Sequence, residues 1–138
     1  MPLDLKHDVF DPVVERIRKN IDSLPNIKRF HRTGIEGWFK VEIVAVLGNR
    51  IRSLQNEGPD FILEDGTEIE LKAATDFHKG FFLDPIRKYG SPTLFLGDGS
   101  NIDTLTKNIN DDIEIVGSEV ISDGVNKWLI GLVRPKQK

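Results

Sequence analysis

Two short runs, Gly58-Pro59-Asp60-Phe61-Ile62-Leu63 and Glu68-Ile69-Glu70-Leu71-Lys72-Ala73, hold the residues of this sequence best placed to act together chemically. Between them lie Glu64-Asp65-Gly66 and Thr67. A three-residue hairpin loop takes a type I turn followed by a residue in the left-handed region, where glycine is favoured, and Gly66 stands at that place. It is predicted to have a positive φ. Leu63 then pairs with Thr67, Asp60 falls opposite Glu70, and the two-residue period of a strand puts Lys72 on the same side as Glu70. A two-residue loop would instead set Asp60 opposite Leu71 and separate the acids. Facing carboxylates destabilise a strand pair unless a cation offsets them, and their hard oxygens suit magnesium or manganese. Asp60 and Glu70 are therefore candidate metal ligands. Lys72 is a candidate to orient a water or to stabilise charge that develops in a reaction.

The second run alternates strictly. Ile69, Leu71 and Ala73 form an apolar face, while Glu68, Glu70 and Lys72 form a charged one. Such a strand packs one side on a core and offers the other to a cleft or to water. The plain alternative is a half-exposed strand with an ordinary cross-strand ion pair.

The elements that position these residues can be read outward from them. Asp11-Pro12 looks like an N-cap with proline at the first helical position, and Val13, Val14, Ile17, Ile21 and Leu24 follow at helical spacing until Leu24-Pro25-Asn26 stops them. Thr33-Gly34-Ile35-Glu36 has the form of a capping box and opens a strongly apolar stretch predicted to be helical to about Leu54. At about 100° per residue, Glu42 lies within a stripe formed by Ile35, Trp38, Phe39, Ala45 and Val46, whereas Glu36 lies at its margin. An ionised carboxylate is costly to bury without a partner, so Glu42 is the preferred third acid of the site. Glu36 is the competing candidate, with its capping-box position as a structural explanation. After the hairpin at 60–73, residues 75–89 read as an unresolved loop or short helix, Pro92–Leu96 as a buried strand and Asn101–Asn110 as a helix. Ile113–Ile121 and Lys127–Val133 read as a closing hairpin around Ser122–Asn126. This order predicts an α/β fold, a mixed sheet flanked by helices, in one domain spanning residues 1–138.

Pro59-Asp60 followed by Glu70-Leu71-Lys72 resembles the signature of the PD-(D/E)XK nuclease superfamily, which includes many restriction endonucleases, junction resolvases and repair nucleases. The resemblance covers about residues 33–73. It implies a restriction endonuclease-like fold and metal-dependent hydrolysis of phosphodiester bonds in nucleic acid, DNA above all, leaving a 5′-phosphate and a 3′-hydroxyl. Many members add an acid from a preceding helix to the metal site, which is what Glu42 would supply beside Asp60 and Glu70. Members usually also have a strand between that helix and the Pro-Asp strand, yet here only Gln55–Gly58 separates the helical reading from Pro59. Either the helix ends early, or Ile27–Arg32 supplies an edge strand, or the arrangement is a reduced variant.

Composition sets the limits on these readings. With 138 residues, 38% of them hydrophobic and 30% charged, the chain is long enough to bury a core and is expected to be soluble. It has no cysteine, which removes disulfides, thiolate metal sites and thiol nucleophiles. That absence, with no export signal or membrane span, predicts a cytoplasmic protein. The net charge of −3 argues against nucleic-acid binding by bulk charge. The segment from Arg16 to Arg52, however, carries nine basic residues against three acidic ones. Lys28, Arg29 and Arg32, with Phe30 and His31 interleaved, are candidate contacts to a phosphate backbone, and two solvated basic helix faces are the plain alternative.

Other signals carry less. Leu96-Gly97-Asp98-Gly99-Ser100-Asn101 lacks the residues of a dinucleotide fingerprint or a P-loop and reads as a turn capped by Ser100 or Asn101. His7, His31 and His78 have no metal-ligand spacing, and Trp38 and Trp128 read as core anchors. Two other functions fit the same residues: a non-catalytic module that binds nucleic acid or protein through a nuclease-like fold, and a phosphohydrolase acting on small molecules. A homodimer is expected because duplex cutting needs two sites and the chain is small.

Overall fold

The computed structural model describes residues 3–21, 32–54, 60–73, 83–99, 107, 112–122, 124 and 126–136. A π-helical turn, Leu5–Phe10, runs directly into α1, Asp11–Asn20. Asp4, not Asp11, is the cap: its carboxylate accepts from the backbone N–H groups of Lys6 and His7. Asp11 is already helical and pairs with Lys6 and His7. The second helix, α2, covers Arg32–Leu47. Thr33 thus falls within the helix and not before it.

The helix predicted to reach Leu54 stops at Leu47. Gly48–Arg50 forms a 3-10 turn, and Ile51–Leu54 is a strand, β1. Gly48 and Asn49 are poor helix formers, and the chain turns where they occur. The early end of the helix is therefore the alternative that applies. Then follow β2 (Phe61–Leu63), β3 (Glu68–Ala73), α3 (Asp84–Tyr89), β4 (Thr93–Asp98), β5 (Ile113–Ser122) and β6 (Lys127–Pro135). The short helix within the ambiguous stretch 75–89 is α3. The helix expected over 101–110 lies outside the described residues, apart from residue 107.

The strands form one six-stranded sheet in the order β1-β2-β3-β4-β6-β5. Among the described strands only β3 and β4 pair in parallel, with Glu70 beside Thr93 and Lys72 beside Phe95. The other pairs are antiparallel, so the sheet is mixed as the sequence predicts. Alternation along β4 and β6 divides the core between two faces. Leu94, Leu96, Trp128, Ile130 and Leu132 pack with α1 and α2, while Phe95, Leu129 and Val133 pack with Leu83 and Ile86 around α3. Helices therefore cover both faces of the sheet. No described helix is long and apolar enough to cross a membrane.

Three described glycines leave no room for a Cβ: Gly99 against Lys127, and two more against aromatic rings. The aromatic ring of Phe95 lies over its cross-strand partner Gly131, where a Cβ would come within 2.4 Å of it. Phe10 lies against Gly117, beside the irregularity of β5, and leaves a Cβ only 2.5 Å.

Candidate active site

The β2–β3 hairpin has the register its loop sequence predicts. Phe61 pairs with Ile69 and Ile62 with Glu68, so the same register carried outward sets Asp60 opposite Glu70. The backbone N–H of Leu63 donates to the Thr67 carbonyl at 2.8 Å, and that of Gly66 donates to the Leu63 carbonyl at 2.9 Å. Gly66 has a φ of +91°, as the turn demands. Asp65 accepts from the Thr67 N–H at 2.9 Å and so fixes the loop from within.

At the open end of this hairpin the acids meet. One oxygen of Asp60, Oδ2, accepts from the backbone N–H of Leu71 at 2.9 Å, which holds the carboxylate across the strand pair. Its other oxygen, Oδ1, lies 3.8 Å from Nζ of Lys40 on α2. Glu70 is anchored through its backbone, whose N–H donates to the Pro92 carbonyl at 2.9 Å, and its carboxyl group lies close enough to Asp60 to be acted on by it. Burial first, then the neighbouring Asp60, push Glu70 up to about 8, with Lys72 pulling the other way and the Glu36 charge adding a little.

Glu36 belongs to this neighbourhood. Partial burial raises its pKa first, then the Asp60 charge, while Lys72 and Lys40 act in the opposite direction. Glu42 is held elsewhere. Its carboxylate accepts from Nε of Arg16 at 2.6 Å and from Nδ2 of Asn20 at 2.9 Å, both on α1, and its side chain is only 12% exposed. The expected cost of burying Glu42 is thus offset by α1, not by the sheet or a metal. The helix phase explains the exchange. The fully buried stripe of α2 is Ile35, Phe39, Ile43 and Leu47. At about 100° per residue, Glu36 and Lys40 fall on one flank of it and Glu42 on the other.

The structure therefore brings Asp60, Glu70, Lys72 and Glu36 together, sets Glu42 apart from them, and adds Lys40, which the sequence reading counted only among the basic residues. Its signal was the four-residue step from Glu36, which stacks the two on one helix face. Pro59, Lys28 and Arg29 lie outside the described residues, as does the side chain of Arg32. Trp128 is a buried core residue, as expected, with Trp38 partly buried against the same core.

Among the described residues, no three histidine, aspartate or glutamate side chains are disposed to hold a metal ion together. The Asp60–Glu70 pair alone still has the chemistry for one. It offers hard oxygens on two facing strands, and magnesium is commonly held by one or two carboxylates with water and substrate phosphate.

No protein-family model matches the chain, and no curated protein or solved structure matches it either.

Proposed function

We propose that this chain is a metal-dependent nuclease, hydrolysing phosphodiester bonds of nucleic acid, with DNA as the expected substrate. The observation that carries the reading is the Asp60–Glu70 pair: two carboxyl groups set opposite each other by the hairpin register and accompanied by Lys72. Juxtaposed acids of this kind are costly for a strand pair and are characteristic of functional sites. The PD-(D/E)XK resemblance gains support from β1, a strand between the glutamate-bearing helix and the Pro-Asp segment where members usually have one.

Asp60 and Glu70 would hold magnesium or manganese, and Glu36, not Glu42, is the helix acid whose charge acts on the pair from outside the ligand set. When bound, such a cation polarises a phosphate oxygen and makes a bound water more acidic. Asp60 presents a carboxylate already fixed by the Leu71 N–H, which limits the reorganisation needed for binding. Lys72 orients the attacking water and offsets charge that accumulates on the phosphate. Lys28, Arg29 and Arg32 remain proposed contacts to the nucleic-acid backbone, and a homodimer remains the proposed assembly for duplex cutting.

The test is incubation with linear, supercoiled, branched and single-stranded DNA, and with RNA, in magnesium, manganese or chelator. Metal-dependent cleavage of one or more of these is expected, inhibited by chelator. If all remain intact while a generic phosphodiester is hydrolysed without competition from DNA, the site is that of a small-molecule phosphohydrolase. If nothing is cleaved, the chain is better read as a non-catalytic interaction module.

A further inference from the structure

Lys40 touches the one oxygen of Asp60 that the backbone leaves available. Oδ2 is committed to the Leu71 N–H at 2.9 Å, whereas Oδ1 faces the Lys40 ammonium at 3.8 Å. Both groups are only partly exposed, 35% for the Lys40 side chain and 25% for that of Asp60, so solvent weakens their attraction less than on an open surface. Lys40 also stands one turn from Glu36 on the same flank of α2, and its charge acts on Glu36 as well. Among the described ion pairs, this is the one that joins α2 to the Asp60–Glu70 pair.

We propose that Lys40 is the counter-ion of the metal-free site: it competes with a divalent cation for Asp60 and, once displaced, turns its ammonium to the phosphate of the substrate. The proposal rests on the nuclease reading and adds a positioning residue to it. Two cations cannot both occupy the Oδ1 side of Asp60 without repulsion, so binding of a divalent ion must break the Lys40 contact. The side chain is then freed on a flexible four-carbon stem beside the site, where a phosphate is the anion that substrate brings. Lys40 thereby sets a threshold on metal binding and strengthens binding of substrate, two effects of opposite sign from one charge.

The opposite signs make the test specific. Manganese binding is measured by titration calorimetry on the folded protein without nucleic acid, for the wild type, Lys40→Gln, Lys40→Arg and Asp60→Asn. KM and kcat for DNA are then measured at saturating manganese. Lys40→Gln is expected to bind manganese roughly 3- to 10-fold more tightly, as loss of a partly buried competing charge implies. It should also raise KM for DNA several-fold with a smaller change in kcat. Lys40→Arg, which keeps the charge, should stay near the wild type in both. Equal manganese affinity in the wild type and Lys40→Gln would overturn the proposal while leaving the metal site intact. Manganese binding that is absent, or unaffected by Asp60→Asn, would overturn the metal site and the proposal together.

Discussion

Asp60 and Glu70 face each other across the open end of the β2–β3 hairpin, and burial together with the nearby Asp60 holds the Glu70 carboxyl well above its usual range. That shift makes the metal-free protein sensitive to pH. Glu70 is raised from 4.5 to about 8 in the folded state. A group whose folded pKa is raised contributes stability that is complete below its unfolded value and is lost as pH rises through the folded value. Metal-free protein should therefore lose stability between about pH 4.5 and pH 8. Glu70→Gln removes the ionisation and should leave the pH 5 melting temperature nearly unchanged while raising the pH 9 value by about 2–4 °C. Thermal unfolding in chelator reads this directly, and parallel pH profiles for the two proteins would count against the raised Glu70 pKa.

The two helix glutamates should separate by the property they affect. Glu42→Gln weakens the contacts with Arg16 and Asn20 and should cost about 1–3 kcal/mol in urea unfolding, with metal-dependent cleavage little changed once the protein is folded. Glu36→Gln should do the reverse, lowering cleavage about 10- to 100-fold with small effect on stability. It should also lower the pH at which the site ionises, because the Glu36 charge helps to raise Glu70. Loss of cleavage confined to Glu42→Gln would place the third acid on the other flank of α2.

The sheet beneath the site depends on the close approach of Phe95 to Gly131. Gly131→Ala pushes a methyl group into the ring and should destabilise the fold by about 1–3 kcal/mol. Phe95→Leu in the same chain makes room and should recover part of that loss, a coupling that chemical denaturation of the four variants measures. Additive effects would mean that the ring moves aside freely.

The hairpin was legible in the sequence because its determinants are local. Glu64-Asp65-Gly66 dictates the turn, the turn dictates the register, and the register makes Asp60 and Glu70 neighbours. The alternation of Ile69 and Leu71 with Glu70 and Lys72 likewise survives intact, buried against half-buried. The α2 flank was harder to read because nearly every residue from Trp38 to Leu47 is apolar, so the stripe has no sharp edge in sequence. Counting Trp38, Ala45 and Val46 in place of Ile43 and Leu47 rotates the apparent centre toward Glu42. Burial sets it at Ile35, Phe39, Ile43 and Leu47. The partner of Glu42 was illegible for another reason: Arg16 lies 26 residues away, and only the packing of α1 on α2 brings them together. For β1, an apolar run of ambiguous period carried the helix reading through Gly48-Asn49, where the backbone in fact turns.

The central claim is that Asp60, Glu70 and Lys72 act on a phosphodiester with a divalent cation. The most direct measurement is a single-turnover cleavage assay in manganese, comparing the wild type with Asp60→Asn, Glu70→Gln and Lys72→Ala, each first shown to be folded by circular dichroism. The expected result is cleavage by the wild type that leaves a 5′-phosphate and depends on metal, with a loss of at least about 100-fold in each variant. Wild-type cleavage that persists undiminished in folded Asp60→Asn and Glu70→Gln, or no cleavage of any nucleic acid by the folded wild type, would contradict it.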